Sequence, residues 1–145
     1  MTELQLHTAW PDGYKAWMRA SDAVYAAGIE PKLLNLVMIR ASQINGCAFC
    51  LDMHATDGLK AGDDPRRLAT VAGWRDAGWF SDDERAALAL TEHVTRIGDG
   101  RAVDDDVTAE VRKRFGDEGF TKLLFAIVVI NGWNRLNVTI HQPPA

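Results

Sequence analysis

Both cysteines of this 145-residue chain fall within four residues, Cys47-Ala48-Phe49-Cys50, and His54 stands four residues past the second. Thiols at C-x-x-C spacing close a small disulfide ring with little backbone movement, which suits reversible redox chemistry. On a helix, His54 at i+4 lies beside Cys50. A nucleophile, its base and a resolving thiol then share about two turns. A free cysteine of pKa about 8.5 is only about 3% thiolate at neutral pH, and lowering the pKa to about 6 raises this to about 90%. That change is worth about 3.4 kcal/mol. A helix N-terminus and a neighbouring imidazolium both favour thiolate, and the spacing offers both.

Other readings of the same residues stay open. The cysteines could be inert core residues with His54 on the surface. They could be two ligands of a zinc site, with His54 a third and His7, His93 or His141 the fourth, although the chain has no second C-x-x-C and no H-x3-H. A thioredoxin-like site would need a flanking β-α-β pattern, which is missing. A c-type haem site needs histidine directly after the second cysteine, where Leu51 stands.

The elements that must position the motif read as helices. Asp12 is placed to cap a first helix over about 13–27, with Tyr14, Trp17, Met18, Ser21 and Tyr25 near one face and Gly28 as its stop. Pro31 opens a second with a broad apolar face, and Asn45-Gly46 breaks it just before the motif. The third covers about 47–61. Asp64-Pro65 starts a fourth, running to about Trp74. Ser81-Asp82-Asp83-Glu84 has capping-box spacing for a fifth that ends before Gly98. A sixth spans 105–115, closed by Gly116. The stretch from Phe120 onward contains Ile127-Val128-Val129-Ile130, which by itself also fits a buried strand. No second strand exists to pair with it, so a buried helix is the reading, with Gly132 a weak point or a close-packing position. An all-α fold of about seven helices follows.

Composition fits one domain over residues 1–145: 47% hydrophobic, 25% charged, formal net charge -4. No basic patch points to nucleic acid. The longest apolar run, Leu123 to Ile130, is eight residues, against the roughly 20 that a spanning helix needs, so no membrane role is expected. The N-terminus has no basic and apolar leader, so the expected compartment is the cytoplasm, where paired thiols are catalytic or metal-binding rather than structural staples. No cofactor is implied.

The segment R-A-S-Q-I-N-G-C-A-F-C-L-D-M-H, Arg40 to His54, closely resembles the core of the alkylhydroperoxidase D-like (AhpD-like) proteins of the carboxymuconolactone decarboxylase superfamily. I-N-G-W-N-R-L, Ile130 to Leu136, resembles the closing helix of the short members, and the likeness covers about residues 10–138. The resemblance implies an AhpD-like all-helical fold and assembly through helices into a homo-oligomer, often a trimer or hexamer. It also implies thiol peroxidase activity. Cys47 and Cys50 would reduce a hydroperoxide and become a disulfide, His54 would relay the proton, and an external dithiol such as a lipoyl protein would reduce the pair. Proximity to His54 favours Cys50 as the peroxidatic thiol, with Cys47 resolving. The helix N-terminus favours Cys47 instead, and of the two Cys50 is preferred.

One position departs from the resemblance. The family's relay glutamate lies twelve residues before the first cysteine, where this chain has Asn35. An amide hydrogen-bonds but does not take a proton as a carboxylate does. Glu92 is the candidate replacement, against its plainer reading as a solvated i, i+4 partner of Arg96. Glu30 and Glu84 look like helix-start residues, and Asp52 like a carboxylate favouring the dipole of the motif helix. Phe49 is expected to pack over the thiols. The five tryptophans are expected in the core or at an interface. Asn131, Asn134 and Arg135 are expected to satisfy helix ends inside an oligomer rather than to line a pocket. Rival functions are a non-catalytic redox switch, a disulfide oxidoreductase, a lactone decarboxylase, for which paired thiols are unnecessary, and a zinc module.

Overall fold

A computed structural model describes residues 4–145, and among them there are helices and no strand. A single turn, α1 (Leu6–Ala9), precedes α2 (Pro11–Tyr25), α3 (Pro31–Asn45), α4 (Ala48–Lys60), α5 (Pro65–Ala69), α6 (Asp82–Thr95) and α7 (Asp105–Thr139). Short 3-10 turns, Val71–Gly73 and Arg96–Asp99, follow α5 and α6. No described helix is long and apolar enough to cross a membrane.

The centre of the fold is α3, which packs against α4, α6 and α7. Its residues Leu33, Leu34, Leu36, Val37, Met38, Ile39 and Ala41 are all buried. A helix apolar on nearly every side must be enclosed. Glu30 caps its start, accepting from the Leu33 amide at 2.9 Å, and Pro31 occupies the first turn. Gly46, at φ 68°, ends it. That left-handed turn, cheap for glycine, aims the chain directly into the cysteine motif.

The all-α expectation holds, but the helices divide differently. The turn α1 was not expected, and α2 begins at Pro11 with Trp10 at its cap position, so Asp12 lies in the first turn rather than capping it. The fourth helix stops at Ala69 instead of reaching Trp74. There the Thr70 hydroxyl bonds back to the Arg66 and Arg67 carbonyls at 3.0 and 3.1 Å, competing with further helix. The two expected C-terminal helices run on as α7, broken only at Gly116 (φ 70°, ψ 176°). Ile127 to Ile130 are helical within it. Gly132 is a close-packing position: a Cβ there would sit 2.2 Å from Cζ2 of Trp17. The absence of a side chain lets α7 approach α2, where Trp133 Nε1 donates to Ser21 Oγ at 2.7 Å.

Candidate active site

Cys47 is the N-cap residue of α4, its sulfur accepting from the Cys50 amide at 3.3 Å. The two cysteines are joined as a disulfide with their Cα atoms 5.3 Å apart, and each is 1% exposed. The turn that delivers them is pinned to α7. Asn45 Nδ2 donates to Asn131 Oδ1 and Asn134 Oδ1, both at 2.9 Å. Asn134 Nδ2 in turn donates to Ser42 Oγ at 3.0 Å, and the Cys47 amide donates to the Ser42 carbonyl at 3.0 Å. Arg135 Nη1 joins at Asn131 Oδ1, 2.9 Å. As expected, Asn131, Asn134 and Arg135 serve a helix end and do not line the cavity. They secure the end of α3 within one chain, because α7 passes directly beside it.

A cavity of about 510 Å³ opens between α2, α4 and α7. Cys50 and His54 lie on its wall with Phe49 and Met53 of α4, while Cys47 does not. Tyr14, Met18, Ser21 and Tyr25 of α2 form the facing wall, while Trp17 of the same expected face packs against Gly132 of α7 instead. Trp133 and Asn137 come from α7, and Gln5, Leu6 and His7 from the α1 region. Asn137 is buried and its Nδ2 donates to the Cys50 sulfur at 3.5 Å. Asn137 was missed in the sequence. The signal was there: it continues the Asn131, Asn134 spacing by one more step of three, and each step rotates the side chain about 60° around the helix. The first two reach α3 and the third reaches the cavity. His7 is exposed and lines the same cavity because α1 folds beside α2.

His54 is 1% exposed, and its Nδ1 has no hydrogen-bond partner among the described residues. Burial pushes its pKa down to about 4, only partly opposed by the charge of Asp57. In the disulfide form the ring is therefore neutral at pH 7, a proton acceptor rather than the imidazolium considered from the spacing. Stability follows from this. The unfolded histidine protonates around 6.5 and the folded one around 4, so the unfolded state binds more protons between them. Stability from this group is full above that window and falls as pH drops through it, by about 3 kcal/mol in all. Urea unfolding of the oxidised protein at the two ends of the window measures the loss. His54→Leu should remove that share of it. Equal losses in the variant and the parent would show that the buried ring is not the source.

Glu92 is not brought to His54. It is 2% exposed, and its Oε1 accepts from Arg40 Nε at 2.8 Å and Trp74 Nε1 at 3.0 Å. Its Oε2 faces Arg75 Nη1 at 2.7 Å and Arg96 Nη1 at 3.8 Å. Burial pushes the carboxyl pKa up, but the hydrogen bonds from Trp74, Arg40 and Arg75 outweigh it and hold the group below the usual range. The expected i, i+4 contact with Arg96 is present, but the rest of both sequence readings is corrected. The group is neither solvated nor placed to exchange a proton with the imidazole.

The remaining candidates are dispersed. Asn35 is buried on α3 outside the cavity wall, and Asp52 is exposed. Glu30 and Glu84 act at helix starts, Glu84 completing the Ser81 capping box. His93 Nδ1 accepts from the Asp104 amide at 3.4 Å, and His141 is exposed. Among the described residues no three His, Cys, Asp or Glu side chains gather as a metal-binding group. Trp74 is buried, while Trp10 and Trp79 are exposed on the single chain.

The model of the carboxymuconolactone decarboxylase family matches residues 11–93. The uncharacterised protein YdfG of Bacillus subtilis (strain 168) is 36% identical over 135 residues, 93% of this chain and 91% of YdfG. A crystal structure of a protein of unknown function from Agrobacterium tumefaciens, proposed to be the antioxidant defence protein AhpD, superposes with a TM-score of 0.94 at 33% identity. That match covers 100% of this chain and 99% of the other. The debrominase Bmp8 has a TM-score of 0.80 at 17% identity, over 93% of this chain and 72% of Bmp8, a likeness of fold alone.

Proposed function

From the premise that this chain belongs to the carboxymuconolactone decarboxylase family, in its AhpD-like form, we propose that it is a thiol-dependent peroxidase. The observation that carries this reading is a disulfide of which one cysteine, Cys50, shares a cavity wall with the buried His54. In the reduced protein, His54 takes the Cys50 proton. The thiolate attacks the terminal peroxide oxygen. An S–O bond forms, the O–O bond breaks, and the alkoxide leaves with the proton from His54 as an alcohol. Cys47 then displaces hydroxide from the Cys50 sulfenic acid, giving the disulfide and, with its own proton, water. An external dithiol of lipoyl type exchanges with the disulfide and restores both thiols. The sum is hydroperoxide plus dithiol giving alcohol, water and disulfide.

The cavity supports an organic hydroperoxide with an apolar body. Met18, Met38, Met53, Phe49, Val129 and Ile130 line it, and among the described residues no lysine or arginine does. The test is consumption of cumene hydroperoxide and of hydrogen peroxide with dihydrolipoamide as reductant. Turnover should depend on the dithiol, and kcat/KM should favour the aromatic peroxide by at least about tenfold, the worth of burying a few carbons. A protein that consumes neither peroxide while its disulfide stays unchanged overturns the reading. Lactone decarboxylation would leave both cysteines idle, so activity on a lactone that survives loss of the thiols would support that alternative. Assembly into a homo-oligomer and a cytoplasmic, reducing setting belong to the same proposal. An apolar hollow that includes exposed Ile97, Phe125 and Val128 supports the assembly.

A further inference from the structure

In the disulfide form each sulfur has one hydrogen-bond donor. Cys47 takes the Cys50 amide at the head of α4, and Cys50 takes the side chain of Asn137, 87 residues away on α7. The second contact is buried, and both of its residues line the cavity. The titratable groups that share this cavity with Cys50 are His54 on its own helix, Tyr14, Asp22 and Tyr25 on α2, and His7 on α1. Asp57 adds a negative charge that reaches His54. Among the described residues no lysine or arginine lines this cavity. A neutral imidazole accepts the thiol proton, yet once it has done so the new negative charge on sulfur still needs a donor. A hydrogen bond to a charged acceptor is stronger than one between neutral groups.

We propose that Asn137 is a catalytic residue whose side-chain N–H donates to Cys50, holding its thiolate before attack and the sulfenic oxygen region after it. This deepens the peroxidase reading and rests on it for the reaction, but not for the hydrogen bond itself. Asn137 makes the bond without adding charge of its own to the cavity wall. It also distinguishes the two thiols. The helix end serves Cys47, and Asn137 gives Cys50 an equivalent partner where the peroxide arrives.

The test is alkylation of Cys50 by iodoacetamide across pH in reduced Cys47→Ser protein, with and without Asn137→Leu or Asn137→Asp. Leucine keeps the bulk and removes the donor, and aspartate puts a charge of the wrong sign beside the sulfur. Leucine should raise the alkylation midpoint by about one pH unit, about tenfold less reaction at neutral pH, with the rates converging in alkali. Aspartate should raise it further. An unmoved midpoint in both variants overturns the proposal. So does a loss that is uniform across pH, because that is the mark of a merely structural side chain. No peroxide is used, so these outcomes stand apart from success or failure of the peroxidase assay.

Discussion

Cys50→Ser is expected to abolish dithiol-dependent peroxide turnover, a loss on the order of a thousandfold or more, as for removal of other catalytic nucleophiles. Cys47→Ser is expected to behave differently. Cys50 lies on the cavity wall and Cys47 does not, so a peroxide in the cavity meets Cys50 first. Without Cys47 the first oxidation still occurs, and the chain stalls as a sulfenic acid that dimedone traps. Serine at position 47 keeps an N-cap acceptor for the Cys50 amide, so α4 should start normally in that variant. A rapid-mixing assay that counts one equivalent of peroxide per chain for Cys47→Ser, and none for Cys50→Ser, is the expected pair of results. The reverse pattern would mean that peroxide approaches from the Cys47 side. Full turnover in both variants would remove thiols from the reaction altogether.

The neutral state of His54 shapes what each thiol can do. An imidazolium beside the sulfur would stabilise thiolate by charge. A buried neutral ring instead takes the thiol proton, and its own protonated form is costly there. That cost favours rapid return of the proton, and the departing alkoxide is the strongest base present at that moment. Burial thus suits His54 to pass a proton from thiol to leaving group within one catalytic event.

What could be read from the chain was local. The second helix, its glycine stop, the capping box at Ser81 and the break at Gly116 each depend on a few neighbouring residues, and each is found. The face Tyr14, Trp17, Met18, Ser21, Tyr25 depends only on helical period, and all of it but Trp17 lines the cavity. The remainder required distance in sequence. Whether His54 is charged depends on how deeply α2 and α7 cover it, which an i+4 spacing does not encode. Asn137 acquires meaning only when α7 folds back over the motif. The true partners of Glu92 are 52 and 18 residues off at Arg40 and Trp74, whereas the visible one, Arg96, is the most distant contact at 3.8 Å. Thr70 broke an expected helix through a hydroxyl contact that propensity alone underweights.

Glu92→Leu is expected to be among the most destabilising single substitutions in the chain, by about 3–5 kcal/mol, because it strands partners that were buried with the carboxylate. Arg40 is only 11% exposed at its side chain and would keep its charge with Gln43 as its remaining hydrogen-bond partner. Trp74 Nε1 would lose its acceptor. Arg75, 55% exposed and stacked 4.2 Å from the Trp74 ring, can turn to water and softens the loss. At roughly 2–4 °C per kcal/mol for a chain near this size, the melting temperature should fall by about 10 °C. Glu92→Gln, which keeps the shape and one acceptor oxygen, should lose less. Both variants, assayed well below their transitions and normalised to folded protein, should retain peroxide turnover within about twofold, since neither carboxylate oxygen engages His54. A relay carboxylate would give the opposite pair of results, with kcat and its pH profile collapsing in Glu92→Gln while the melting temperature barely moved. That outcome would return Glu92 to the reaction path and require α6 to shift on reduction. A large thermal loss with intact chemistry assigns the carboxylate to the tie between α3, α6 and the Trp74 turn, the scaffold that holds the motif in place.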